Sequence, residues 1–158
     1  MAVDIGISES HRGRIVDILN RLLADEFVLY VKTRSFHWNV QGPNFSELHK
    51  FFESQYESLD EVIDEVAERS RALGGTAAGS LKEFSGLATL PEGLVDFRKP
   101  AALLGALLAD HEQVIRGLRK DVGLVNDELG DVGTGDFLTG LLEQHEKMAW
   151  MLRALVAR

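Results

Sequence analysis

The stretch Phe36-His37-Trp38-Asn39-Val40-Gln41-Gly42-Pro43-Asn44-Phe45, with His49 following shortly after, decides how this chain is read. Gly42-Pro43 interrupts any helix, because proline lacks the amide proton and glycine has the least restrained backbone. Before it, Ile15, Leu19, Leu22, Leu23, Phe27, Tyr30 and Phe36 recur at three- and four-residue steps. That is the period of a long amphipathic helix from about Ser8 to Asn39, with Ser8 or Ser10 placed to cap it. After it, Leu48, Phe52, Leu59, Val62, Ile63 and Val66 mark a second helix from about Phe45 to Leu73. Asn44 with Glu47 three residues on has the form of a capping box, and Gly74-Gly75 that of a helix end. The interruption thus joins two long helices and leaves a histidine on each side of the turn.

Further out, residues 76–99 are too long for a plain connection. Ser80-Leu81-Lys82-Glu83-Phe84 is predicted to form a short helix within it. A crossover of this length lets consecutive helices of a bundle run parallel. Pro100 suits the first position of a third helix, which carries Leu103, Leu107, Val114, Leu118, Val122 and Val125 to about Leu129. Gly130 to Gly133 reads as a turn, with Thr134 capping a fourth helix bearing Phe137, Leu141, Leu142, Met148, Leu152 and Leu155. No stretch alternates long enough for a sheet. The expectation is one all-α domain over residues 1–158: a four-helix bundle with a short extra helix between helices two and three.

The 158 residues are 45% hydrophobic and 27% charged, enough for a core and for solubility, with a net charge of -8. Such a surface repels phosphate backbones and attracts cations. With no cysteine, disulfides, thiolate catalysis and cysteine-ligated metals are excluded. The longest apolar run, Ala101 to Ala109, is too short to span a membrane. Met1-Ala2-Val3-Asp4-Ile5 lacks the basic and apolar regions of a signal peptide, so a cytoplasmic protein is expected.

At 100° per residue, His49, Glu53, Asp60, Asp64 and Glu68 fall within a roughly 100° arc of the second helix. A charged stripe ordinarily faces water, but this one begins with a histidine and shares its region with Tyr56. His37, between Phe36 and Trp38, would ordinarily be a packed residue; His49 across the turn makes it a candidate ligand. Imidazole with carboxylate and no thiolate suits iron, manganese or zinc. The distances fail for one chain: His49 and Asp64 lie about 22 Å apart along one helix. Nor does the sequence contain Glu-x-x-His, the usual signature of a di-iron centre within one bundle. An antiparallel second copy would bring the histidine end of one helix to the carboxylate end of the other. His111 and His145, each flanked by acids, are read as structural or surface residues.

These residues also carry a resemblance. Phe36 to Phe45 with His49, Leu59-Asp60-Glu61-Val62-Ile63-Asp64-Glu65-Val66-Ala67-Glu68-Arg69 leading to Leu73-Gly74-Gly75, and Ser80 to Phe84 are similar to the Dps family of mini-ferritins. So are Thr134-Gly135-Asp136-Phe137-Leu138-Thr139 and His145-Glu146-Lys147 through Trp150-Met151-Leu152-Arg153. The resemblance covers nearly the whole chain. It implies a dodecameric shell of ferritin-like four-helix subunits with ferroxidase centres at two-fold interfaces. His37 and His49 match the ligands given by one subunit, and Asp64 and Glu68 those given by its partner. Glu53 matches a ligand of a second iron, where the family often has the shorter Asp. The implied reaction oxidises Fe(II), typically with hydrogen peroxide, and stores Fe(III) mineral inside the shell. Trp38 is placed to trap a stray oxidising equivalent or to pack at the interface. Asp131 and Asp136 match acids lining the family's three-fold pores. Some members bind DNA through basic tails, but residues 1–10 contain no Lys or Arg and the C-terminus offers only Arg153 and Arg158, so weak or no DNA binding is expected. The alternatives are a non-enzymatic shell that coats DNA and a bundle that holds zinc or manganese without redox turnover.

Overall fold

The Ser8 side chain accepts the His11 amide at 3.2 Å and opens α1, Glu9–Asn39. The structure, a computed structural model, describes residues 3–93 and 95–156; Met1 and Ala2 of the leader reading and Arg158 of the tail reading lie outside them. A five-residue turn leads to α2, Phe45–Ala72. α3, Leu81–Leu87, begins with a complete capping box: Ser80 accepts the Glu83 amide, and Glu83 reaches back to the Ser80 amide. α4, Pro100–Gly123, has its proline in the first turn. It continues as a π-helical turn, Leu124–Glu128, before α5, Val132–Val156. α1 packs on α2 and α4 on α5. The all-α bundle with a short helix in the long crossover is the predicted fold, and no strand occurs among the described residues.

Four local expectations need correction. Asn44 makes no side-chain capping bond, and its backbone (φ -98°, ψ 22°) is not the extended form that aims a cap oxygen at the helix. The third helix is α-helical only to Gly123, after which its ladder widens to i→i+5 bonds. The loop helix runs past Phe84 to Leu87. Thr134 lies inside the first turn of α5, and its amide is capped by Asp131 Oδ1 at 3.0 Å.

The end of α2 follows the glycine signal. Gly74 has φ +84°, its amide bonds Arg71 O at 2.9 Å, and the Gly75 amide bonds Ser70 O at 3.0 Å. These two reversed bonds satisfy the last carbonyls of the helix. The crossover is pinned from beneath. The Asp25 carboxylate accepts the Thr89 amide (2.6 Å), the Thr89 hydroxyl (2.8 Å) and the Leu90 amide (2.9 Å). Lys32 donates to Pro91 O at 2.7 Å and to Asp110 at 2.5 Å. Phe36 meets Phe52 and Phe97 edge-on, with ring centroids 6.2 Å away in each case. This aromatic knot, with Phe36 and Phe52 buried and Phe97 half-buried, ties α1, α2 and the crossover together one residue before His37. Removing a buried aromatic ring costs about 3–5 kcal/mol, so Phe36 holds the adjoining turn firmly.

Candidate metal centre

His37 lies in the last turn of α1 and His49 in the second turn of α2, and the turn brings them face to face. Their rings stack with centroids 3.7 Å apart and planes 21° apart. His37 Nδ1 lies 2.8 Å from His49 O, and His49 Nδ1 lies 2.9 Å from His37 O. A carbonyl oxygen only accepts, so each Nδ1 carries the proton and donates it. The tautomer so selected is the one whose free lone pair is on Nε2. Such a hydrogen bond through the other ring nitrogen orients a metal-binding imidazole. The His37 carbonyl is also among the terminal carbonyls of α1 that find no partner within the helix.

The neighbouring side chains were only partly read from sequence. Tyr56 stands edge-on to His37 with centroids 5.2 Å apart, and its hydroxyl is 3.5 Å from Glu53 Oε1. Desolvation, and then the Glu53 charge, hold its phenol above the ordinary tyrosine range. Arg34, which sequence reasoning missed, lies over three rings: Tyr56 at 4.5 Å, Trp38 at 5.4 Å and Tyr30 at 5.5 Å. Its signal was present, since Tyr30, Arg34 and Trp38 recur at four-residue steps on one helix face. Trp38 itself is 62% exposed.

Glu53 is half-buried beside the histidines, whereas Asp64 and Glu68 are exposed further along α2. That helix is unbroken from Phe45 to Ala72, so the separation of about 22 Å between His49 and Asp64 stands. Among the described residues, no three His, Asp or Glu side chains of one chain gather closely enough to hold an ion. What one chain offers is two aimed imidazoles with Glu53, and separately two exposed carboxylates. This donor chemistry fits iron, with imidazole tolerating Fe(II) and carboxylate favouring Fe(III).

The two acids matched to pores differ. Asp136 is exposed on the first turns of α5. Asp131 is buried, caps α5, and is bridged by Arg69 at 3.3 Å, while Arg69 Nε also donates to the Thr134 hydroxyl at 2.9 Å. Burial alone would raise its pKa, but the Thr134 donors and Arg69 hold it below the ordinary range. The oxygens of Asp131 thus already serve the helix end and an arginine, whereas Asp136 stands open to solvent. His111 and His145 are fully buried and in contact with each other, so the surface half of that expectation falls away.

Among the described residues, no helix is long and apolar enough to cross a membrane. The ferritin-like domain pattern matches residues 16–158. The chain is 47% identical to a protein of Nostoc sp. described as an uncharacterized low temperature-induced protein, over 98% of this chain and 86% of that one. It is 34% identical to DNA protection during starvation protein 2 of Bacillus anthracis, over 90% of this chain and 97% of the relative. A crystal structure from Vibrio cholerae superimposes with a TM-score of 0.92 at 31% identity, covering 99% of this chain and 98% of that one. That structure is described as a DPS protein in a broad superfamily of ferritin-like diiron-carboxylate proteins.

Proposed function

The chain belongs to the Dps family of ferritin-like proteins, and from that premise we propose that it is an iron-storing ferroxidase whose centre is shared between two subunits. The observation that carries the proposal is the locked pair: both Nδ1 atoms are tied to carbonyls, leaving both Nε2 lone pairs to bind a cation. His37 and His49 of one copy would hold Fe(II) together with Asp64 and Glu68 of a second. Glu53, at the same end as the histidines, would serve a second iron. Two Fe(II) each give one electron to one hydrogen peroxide, which takes up two protons and leaves as two waters. Pairing the irons avoids the one-electron reduction that releases hydroxyl radical. Carboxylates retain the harder Fe(III) product on its way to a mineral.

Trp38, exposed beside His37 and under Arg34, would yield an electron to a stray radical or pack against the second subunit. The assembled form is proposed to be a dodecameric shell, with Asp136 at an iron entrance. The names of relatives make a DNA-coating shell the second reading; the net charge of -8 argues against it, because repulsion from phosphates repeats in every subunit.

The test is anaerobic mixing of Fe(II) and hydrogen peroxide with the assembled protein. Fast oxidation that collapses in a His37→Ala, Asp64→Ala double variant supports the ferroxidase. Oxidation no faster than in buffer points to zinc or manganese binding without turnover. A gel shift at moderate salt that shows DNA condensation favours the coating shell instead.

A further inference from the structure

Three titratable side chains outside the iron chemistry meet in the core: Glu26 from α1, His111 from α4 and His145 from α5, each with no exposed surface. His111 Nδ1 and His145 Nδ1 are 3.0 Å apart. His145 Nε2 is 2.9 Å from Glu26 Oε1, close enough for an ion pair but off the line of a good hydrogen bond. Among the described residues, Glu26 Oε2 and His111 Nε2 have no hydrogen-bond partner. Unpartnered polar atoms in a dry core are rare because each gives up its hydration for nothing in return. The three groups are strung in a line, not gathered around a point, and do not form a metal cage.

Hydrogen positions limit what this line can hold. Two Nδ1 atoms in contact need one proton between them, one ring donating and the other accepting. The two rings together hold two protons when neutral and three when they carry one positive charge. A fourth proton would set two N–H groups head to head. Glu26 lies beside His145, so one positive charge has a counter-charge there and a second has none. His111 is the ring refused: burial, and then the charge of His145, hold its pKa well below the ordinary histidine value.

Among the described residues, no other group turned toward the core relieves this. α1 turns Asp25, Glu26 and His37 inward, α4 turns Asp110, His111 and Asp121, and α5 turns His145. The buried polar residues of α2 are Gln55 and Ser70, and α3 buries only Phe84. Asp25 is engaged by Thr89 and Leu90, Asp110 by Lys32, and Asp121 by Arg21. His37 is committed at the turn to α2.

We propose that Glu26, His145 and His111 form an acid-sensitive latch, in which a proton shared between the rings ties α4 to α5, Glu26 of α1 supplies the counter-charge, and protonation of His111 breaks the tie. The unfolded chain takes up a proton at His111 below about pH 6.5, while the folded chain refuses it. The stability that comes from keeping His111 unprotonated is thus complete above that pH and declines as pH falls, until the folded-state pKa of His111 is reached. One proton of difference lowers the folded-to-unfolded ratio about tenfold per pH unit.

The test follows thermal unfolding of the assembled protein between about pH 7.5 and 4.5, in wild type and in His111→Leu. Wild type should lose stability more steeply than the variant by close to one proton per subunit. Parallel pH profiles overturn the latch. A second reading needs no variant: NMR of the wild type with 13Cε1-labelled histidine. One buried ring should stay neutral until the core melts; all five histidines titrating near pH 6.5 in a folded shell would overturn the proposal.

Discussion

His37 and His49 stack beside a turn and give their Nδ1 protons to backbone carbonyls, whereas His111 and His145 touch Nδ1 to Nδ1 in the bundle core. In the first pair the acceptors belong to the backbone, so both tautomers are set and both Nε2 lone pairs remain for a ligand. In the second pair each ring is the other's partner, so one lone pair is consumed and protonation of one ring depends on the other. The same residue type becomes a binding group or a structural contact according to what its inner nitrogen meets. Burial completes the contrast: Glu26, the acid of the core pair, is sealed from water, while Asp64 and Glu68 lie open on α2.

The sharpest way to break this contrast is Glu26→Ala. It removes the counter-charge of a sealed pair and should cost about 3–5 kcal/mol, read as a lower denaturant midpoint, with iron oxidation per folded shell unchanged. The mirror experiment is His37→Ala with His49→Ala. It should slow Fe(II) oxidation by at least about a hundredfold, since loss even of a group that orients a ligand costs 10–100-fold. Stability should fall far less than in Glu26→Ala, and an equal loss in both variants would erase the distinction. Zinc gives a gentler reading: an ion bound through the free Nε2 atoms should inhibit oxidation competitively, and more iron should relieve it. Inhibition that survives His49→Ala places zinc elsewhere. Smallest is Tyr56→Phe, which deletes a 3.5 Å contact to Glu53 and should leave the denaturant midpoint close to that of wild type.

The bundle was legible because periodicity reports burial directly: Leu19, Leu22, Leu59, Val66, Leu103 and Leu118 were placed by spacing and are all buried. Gly74-Gly75 was legible because an αL residue at a helix end has few alternatives to glycine. Asn44 and Thr134 misled because several residues near a helix start are chemically able to cap, and backbone angles choose among them. Glu26 went unread although it sits within the apolar row Leu19, Leu22, Leu29; a charge in that row marked a buried partner that periodicity alone does not name. The separation of His49 from Asp64 was readable from helix rise, whereas the Nδ1-to-carbonyl locks depend on how α1 and α2 meet and have no signature in the sequence.

The sharing of one iron site by two chains is tested most directly by co-assembly. One chain carries His37→Ala and His49→Ala, the other Asp64→Ala and Glu68→Ala, and each alone should form inactive shells. In a mixed two-fold pair, the imidazoles of the second variant face the carboxylates of the first, restoring one of two sites. With random pairing, half the pairs are mixed, so mixed shells should regain about a quarter of wild-type oxidation. If mixed shells stay as inactive as either parent while wild type is active, the site is not built across two chains.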